Sequence, residues 1–200
     1  MNNVYDIKEN RPAPVWTRFL FPLFVLAVVI IILATGFYTV DSGEEAVVLR
    51  FGSHVETVTT SGLKWKIPLI DRVYKVKVSE VKRLEFGFRT IKEGAAAEYQ
   101  DVHAESLMLT GDENLINVET IVQFRIVDIE KFLFEVTKGE EALRVAAEAT
   151  IRRVVANHPM DAALTEDKLS IQQEIRDDLQ AISDSYHLGI SITAVQLQRS

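Results

Sequence analysis

The chain has 200 residues, 48% of them hydrophobic and 26% charged, with a formal net charge of −7 and no cysteine. That length suffices for one good-sized core or two small subdomains. The missing cysteines exclude a disulfide framework and a thiolate metal site, and the acidic balance without a nucleic-acid motif argues against DNA or RNA as a partner.

Residues 1–18 form a short polar tail carrying Lys8, Arg11 and Arg18. Phe19 to Val40 then runs without one charge. At about 1.5 Å per residue, such a run makes a helix of roughly 33 Å, enough for a bilayer core of ~30 Å. A buried core helix seldom stays uncharged for so long. A cleaved signal peptide has an apolar region of only about 7–15 residues and a small-residue cleavage site, which Ala34-Thr35-Gly36 imitates poorly. The expectation is an uncleaved membrane helix over 19–40, with Pro22 in its first turn. Three basic residues precede it, whereas the following stretch has only Arg50 beside Asp41, Glu44 and Glu45. Positive-inside then puts the tail in the cytoplasm and the main domain outside it.

From residue 41 to 92 the texture is β. Ala46 to Phe51 is an apolar strand ended by Gly52, and Leu63, Trp65 and Ile67 alternate with Lys64 and Lys66 before Pro68. Tyr74, Val76 and Val78 share a face opposite Val73, Lys75 and Lys77, a half-buried strand with a lysine edge. Residues 93–106, polar and rich in Ala and Glu, read as a loop. Residues 107–200 form a second, α/β part. Gly111 to Asn114 is a turn, and from Ile116 to Ile126 the residues Val118, Thr120, Val122, Phe124 and Ile126 share one side of a strand. A short helix is expected over Ile129–Phe134. A longer one runs from Gly139 to Asn157 with the stripe Leu143, Ala147, Ile151 and Val154, and His158-Pro159 ends it. Thr165 is the expected N-cap of a last helix with Ile171, Ile175, Leu179, Ile182 and Tyr186 inward, closed by Gly189. Ile190–Leu197 is the final strand. Strands, then helices, then a strand make an α+β fold.

The charge is uneven. Lys64 to Lys92 holds nine Lys or Arg against three Asp or Glu, and Glu93 to Ser200 holds nine against twenty. The basic segment suits lipid headgroups or an acidic partner, or is a row of solvated strand lysines.

Catalytic signatures are missing. There is no Gly-rich phosphate loop, H-E-x-x-H or G-x-S-x-G. His54, His103, His158 and His187 lack metal-ligand spacing, and Asp112-Glu113-Asn114 lacks the EF-hand pattern. No catalytic, cofactor-binding or metal residue is therefore expected, and weight moves to binding or scaffolding. Lys64, Trp65, Lys66 and Ile67 interleave bulky apolar groups with lysine. At a membrane interface the indole would sit at headgroup depth and the ammonium groups would reach phosphate; alternatively the strand is amphipathic with Trp65 in the core. The acidic outer face of the last helix, with Asp177 and Asp178, either solvates a core-packing helix or meets a neighbouring subunit.

Several segments, in order, carry a resemblance: Gly43-Glu44-Glu45-Ala46-Val47-Val48-Leu49-Arg50-Phe51-Gly52, Gly62 to Pro68, Met108-Leu109-Thr110-Gly111-Asp112-Glu113-Asn114, Val122 to Ile126, Ala149 to Val155, and Gly189-Ile190. Together they resemble the SPFH/band 7 superfamily of stomatins, prohibitins, flotillins and HflK, and most of all its HflK branch, from about Tyr38 to Ser200. The resemblance implies a non-enzymatic protein of the bacterial inner membrane with one N-terminal transmembrane helix and an SPFH domain outside the cytoplasm. It implies alternation with an HflC-like subunit in a cage around an FtsH-like AAA protease, which limits access of membrane substrates. The β-rich part would then lie on membrane lipid, and Arg50, Arg125, Arg152 and Arg153 are the expected subunit-contact or domain-bracing residues. Family members continue into a long coiled-coil helix and a C-terminal cap that this chain does not contain, so it is either a piece of a longer protein or a short form. The Gly-rich stretch common in HflK tails is also missing. A stomatin- or flotillin-like organiser of lipid microdomains is the alternative within the superfamily, and a membrane-tethered carboxylate hydrolase the alternative outside it.

Overall fold

The computed structural model describes residues 15–92, 94, 98–135, 138–164 and 167–199. Helix α1 spans Val15–Ala34, with Pro22 inside it rather than in its first turn. The apolar run then changes structure: Phe37–Val40 is strand β1, not the end of the expected helix. The reason is local. Thr35 turns its hydroxyl onto the Ile32 carbonyl at 2.6 Å, Gly36 N–H bonds the Leu33 carbonyl, and the β-favouring residues Phe-Tyr-Thr-Val find a strand partner. Among the described residues no helix is long and apolar enough to cross a membrane; the side chains of residues 15–21 of α1 lie outside them.

Strands β2 (Glu44–Arg50), β3 (Ser53–Val58), β4 (Gly62–Trp65) and β5 (Asp71–Lys77) follow. An antiparallel sheet has the order β3-β2-β5, and β1 pairs β4 separately. Ala46 to Leu49 are all buried because both faces of β2 are covered. Ala46 and Val48 pack with Val40 and Val58, while Val47 and Leu49 pack with Ile129. A strand buried on both faces reads as a continuous apolar run rather than an alternation. β5 divides in the same way, Val73 joining the first cluster and Val76 the second.

Strands β6 (Lys82–Phe86), β7 (Phe88–Lys92) and β8 (Glu98–Asp101) come next, then the single turn α2 (His103–Ser106) and strand β9 (Leu107–Leu109). The expected loop over 93–106 thus holds a strand and a helical turn. Tertiary contacts order it: Tyr99 meets Phe88 edge-on, and Glu105 binds Arg89. β10 (Leu115–Ile126) is the longest strand and alternates as expected, with Val118, Thr120, Val122, Phe124 and Ile126 buried. One π-helical turn covers Lys131–Glu135.

Helix α3 (Gly139–Asn157) has the expected bounds and inward stripe. α4 (Met160–Leu164) and α5 (Lys168–Ser185) follow, and β11 (Ile190–Arg199) returns antiparallel beside β10. Thr165 lies outside the described residues. On α5, Ile171, Ile175 and Leu179 are buried, but the stripe then turns: Ser183 is inside and Tyr186 is 63% exposed. The left-handed residue that ends α5 is His187, not Gly189. His187 N–H bonds the Asp184 carbonyl and Leu188 N–H the Ser183 carbonyl, the pattern of a Schellman motif.

The order β11-β10-β6, with β9 also on β10, makes the main sheet. α3 and α5 cover its inner face over Phe86, Phe124, Ile151, Ile175 and Leu179. The outer edge of β11 is answered by one side chain. The Gln180 amide oxygen accepts from Ile192 N–H at 2.7 Å, and its NH2 donates to the Ile190 carbonyl at 3.2 Å.

Candidate functional site

The first strands and α1 converge at one end of the molecule. Register sets Phe37 opposite Trp65 and Arg50 opposite Asp71. The Trp65 indole N–H donates to the Leu33 carbonyl at 3.3 Å, and Lys66 N–H donates to the Gly36 carbonyl at 2.9 Å. The last turn of α1 is therefore fastened to β4. A Cβ on Gly36 would lie 2.5 Å from Trp65 Nε1 and 2.6 Å from the Lys66 carbonyl oxygen, so only glycine lets the two segments meet.

Asp71 organises the adjoining loop. Its carboxylate accepts from Arg50 Nε at 2.9 Å, Arg50 Nη2 at 3.1 Å and the Ile67 amide at 2.9 Å. These bonds, the Arg50 pair foremost, hold its carboxyl below the usual carboxylate range. The bracing presents two bulky apolar side chains at the tips beside it. Phe51, in the β2–β3 turn, is 85% exposed; Leu69, just before Asp71, is 92% exposed. Both hold a left-handed backbone, φ 52° and 67°. A bulky residue at positive φ is strained, and burial in this chain does not compensate it. Phe37, Leu63 and Trp65 add exposed apolar surface to the same part of the molecule.

The sequence candidates are distributed as follows. Trp65 is exposed rather than in the core, while Lys64, Lys66 and Ile67 are half-buried beside it, and Lys64 Nζ bonds the Thr60 hydroxyl at 2.8 Å. Arg50 braces the loop through Asp71. Arg152 bonds Glu148 and the carbonyls of Ala104 and Leu107, tying α3 to α2 and β9. Arg153 pairs with Asp178, tying α3 to α5. Asp177 pairs with its neighbour Arg176 on the surface. Arg125 is exposed near the end of β10 and makes no ion pair among the described residues. These residues do not form one cluster: Trp65 and its neighbours share the apolar end with Arg50, and the others lie on the helices and the sheet.

Sequence reasoning missed Phe51, Leu69 and the Arg89–Glu105 pair. A large apolar residue beside a turn residue, in Phe51-Gly52 and Pro68-Leu69, was the available signal for the first two. Burial raises the Glu105 carboxyl, but Arg89 and the Gly87 amide outweigh it and hold the group below its ordinary value. Asp71 and Glu105 both have folded values below their unfolded ones of about 4. Their contribution to stability is thus complete above about pH 4 and is lost as pH falls through the lower folded values. Unfolding midpoints measured between about pH 6 and pH 3 should fall steeply toward acid, and Asp71→Asn should flatten that slope while lowering the midpoint at neutral pH.

Among the described residues no group of three or more His, Cys, Asp or Glu is placed to hold a metal ion. The arrangement offers an apolar end, a basic flank and faces for contact.

Comparison with known proteins agrees with the resemblance. The profile of the SPFH domain / Band 7 family matches residues 38–200. Protein HflK of Treponema pallidum (strain Nichols) is 34% identical over 177 residues, covering 87% of this chain and 54% of that protein. The Modulator of FtsH protease HflK of Escherichia coli K12 is 36% identical over 172 residues, 86% of this chain and 36% of that protein. Protein HflK of Borreliella burgdorferi is 31% identical over 199 residues, 98% and 62% respectively. The chain thus spans between 36% and 62% of the length of these three relatives. With the family profile matched from Tyr38 to the last residue and HflK proteins its relatives, this chain belongs to the SPFH domain / Band 7 family, on the HflK branch.

Proposed function

We propose that this chain is a membrane-anchored, non-enzymatic scaffold subunit that oligomerises with an HflC-like partner and regulates an FtsH-like membrane AAA protease by controlling substrate access. The observation that carries the reading is the 36% identity over 172 residues with a protein named as a modulator of the FtsH protease. On this reading the run Phe19 to Ala34 lies in the bacterial inner membrane, the tail is cytoplasmic, and the SPFH domain sits on the outer leaflet. Exposed Phe51, Leu69, Trp65 and Phe37 beside the end of α1 support that seating, since apolar groups at strained turn tips gain what the chain itself does not give them by entering lipid. Lys64 and Lys66 beside Trp65 suit the headgroup layer.

The test of function is purification from native membranes in mild detergent, with sizing and mass spectrometry. A very large particle containing an HflC-like subunit and an FtsH-like protease is expected. A homomeric, lipid-dependent particle without protease would favour a stomatin- or flotillin-like microdomain scaffold. The seating has its own test. The chain has two tryptophans, Trp16 and Trp65, so Trp16→Phe leaves Trp65 as sole reporter. In vesicles of brominated lipid, Trp65 fluorescence should be quenched most by bromine near the headgroups. Phe51→Ser with Leu69→Ser should reduce that quenching. Quenching no greater than that of free tryptophan in water would refute the seating.

A further inference from the structure

The segment from Ile67 to Asp71 closes on itself. Asp71 N–H bonds the Ile67 carbonyl at 3.0 Å, and Ile67 N–H bonds the Asp71 carboxylate at 2.9 Å. Exposed Leu69 stands at the apex of this loop, with Ile70 partly exposed beside it. Lys66 enters the loop and Arg72 leaves it, so the two cations flank its base. Register adds Arg50, opposite Asp71, and exposed Phe51 is the next residue. Apolar tips thus rise from a basic collar.

The collar keeps a positive excess. Its one carboxylate, Asp71, is buried and already accepts two bonds from Arg50 and one from the Ile67 amide. Arg72 is exposed and makes no ion pair or side-chain hydrogen bond among the described residues, and Lys66 is half-buried. The loop, its flanks and the strand residue opposite therefore hold three cations against one carboxylate. The other end of the same sheet differs. Glu44 and Glu45 open β2, about 20 Å away at ~3.3 Å per residue, and Lys77 lies opposite Glu44 in register. Positive excess and apolar tips coincide at one end, in a chain whose net charge is −7.

A zwitterionic headgroup brings its own ammonium to the surface and gives such a collar little to bind. An anionic phospholipid leaves its phosphate unanswered, and Lys or Arg held at headgroup depth is attracted to it. We propose that this loop selects anionic phospholipid: Leu69 and Phe51 enter the acyl boundary, while Arg72 and Lys66 hold headgroup phosphate. The inference rests on the membrane seating proposed above and names the lipid class that the seat takes. Arginine suits the task because its planar fork of donors matches two phosphate oxygens. Lysine suits it because its apolar stem lies along the loop while the ammonium reaches the headgroup.

The test uses the full chain carrying Trp16→Phe, in vesicles of equimolar phosphatidylglycerol and phosphatidylcholine, with bromine on the acyl chains of one lipid at a time. Trp65, adjacent to Lys66, reports which lipid surrounds the collar. Brominated phosphatidylglycerol should quench roughly twofold more than brominated phosphatidylcholine, and about 0.5 M salt should remove most of the difference. Lys66→Gln with Arg72→Gln should make the two lipids quench alike without abolishing quenching. Lys66→Arg with Arg72→Lys should keep the preference, which separates lost charge from lost folding. If the two lipids quench the parent chain equally, the seating stands and the selection fails. If the difference survives both glutamine substitutions, other groups hold the headgroup and the proposal fails. If neither lipid quenches Trp65, the seating fails and takes the selection with it.

Discussion

Gly189→Ala should lower the thermal midpoint by about 10 °C, corresponding to about 3 kcal/mol for a chain of this size. Gly189 holds φ +66°, and a Cβ there would fall onto the Asp128 carbonyl oxygen and lie 2.9 Å from both the Lys131 side chain and the Phe132 amide nitrogen. The left-handed backbone alone costs a residue with a side chain about 1–3 kcal/mol, and overpacking adds a similar amount. No easy retreat exists. The Gly189 carbonyl accepts from both Val127 and Asp128 amides, at 2.9 and 3.0 Å, and these bonds join the end of β10 to the start of β11. His187 provides the contrast. It too is left-handed, at φ 53°, but it is exposed and ends α5. His187→Gly should therefore be neutral or stabilising by up to about 1 kcal/mol. Equal effects at the two positions, read by calorimetry, would show that close packing at Gly189 does not matter.

Gly36→Val should act locally rather than globally. The new side chain would displace Trp65 and break the bond from Lys66 N–H to the Gly36 carbonyl. An overpacking cost of about 1–3 kcal/mol, with a lost hydrogen bond of about 1 kcal/mol, falls on the junction of α1, β1 and β4. Amide exchange at Lys66 should accelerate roughly a hundredfold. Amides in the middle of β10, backed by the main core, should keep their protection. A uniform loss along the chain would mean that the junction and the core unfold as one unit. Retained protection at Lys66 would mean that the clamp is not needed.

These two glycines also mark the limit of what the sequence discloses. Gly189 is legible as special, and the usual inference is a helix end. The structure gives that task to His187 and gives Gly189 a steric one, set by Asp128 and Phe132, which lie some 60 positions earlier. The strict alternation of Leu115–Ile126 and the bounds of Gly139–Asn157 could be read because the causes are local: a period, an opening glycine, a terminal His-Pro. The strand Glu98–Asp101 and the turn His103–Ser106 could not, because Phe88 and Arg89 order them across the sheet. Phe37–Val40 was absorbed into the membrane run because a strand paired with Gly62–Trp65 and an apolar helix share residue types. For the candidate site, the alternation of Trp65 with lysines marks the strand but leaves open whether the indole is exposed or in the core, which its packing against the end of α1 decides. The Arg50–Asp71 clamp was not legible, since nothing in one strand names its partner in another.

The Gln180 amide bears on how copies of this domain can fail. An exposed strand edge is a template: another chain can dock there and extend the sheet without limit, the route to fibrous aggregates. At Ile190 and Ile192 that template is already occupied by a side chain that imitates a neighbouring peptide unit. On the membrane-scaffold reading proposed above, domains would be held close on a two-dimensional surface, where such protection matters most. Gln180→Ala would reopen two backbone positions without touching the core. Its cost would appear less in a melting curve of dilute protein than in slow, concentration-dependent, β-rich aggregation.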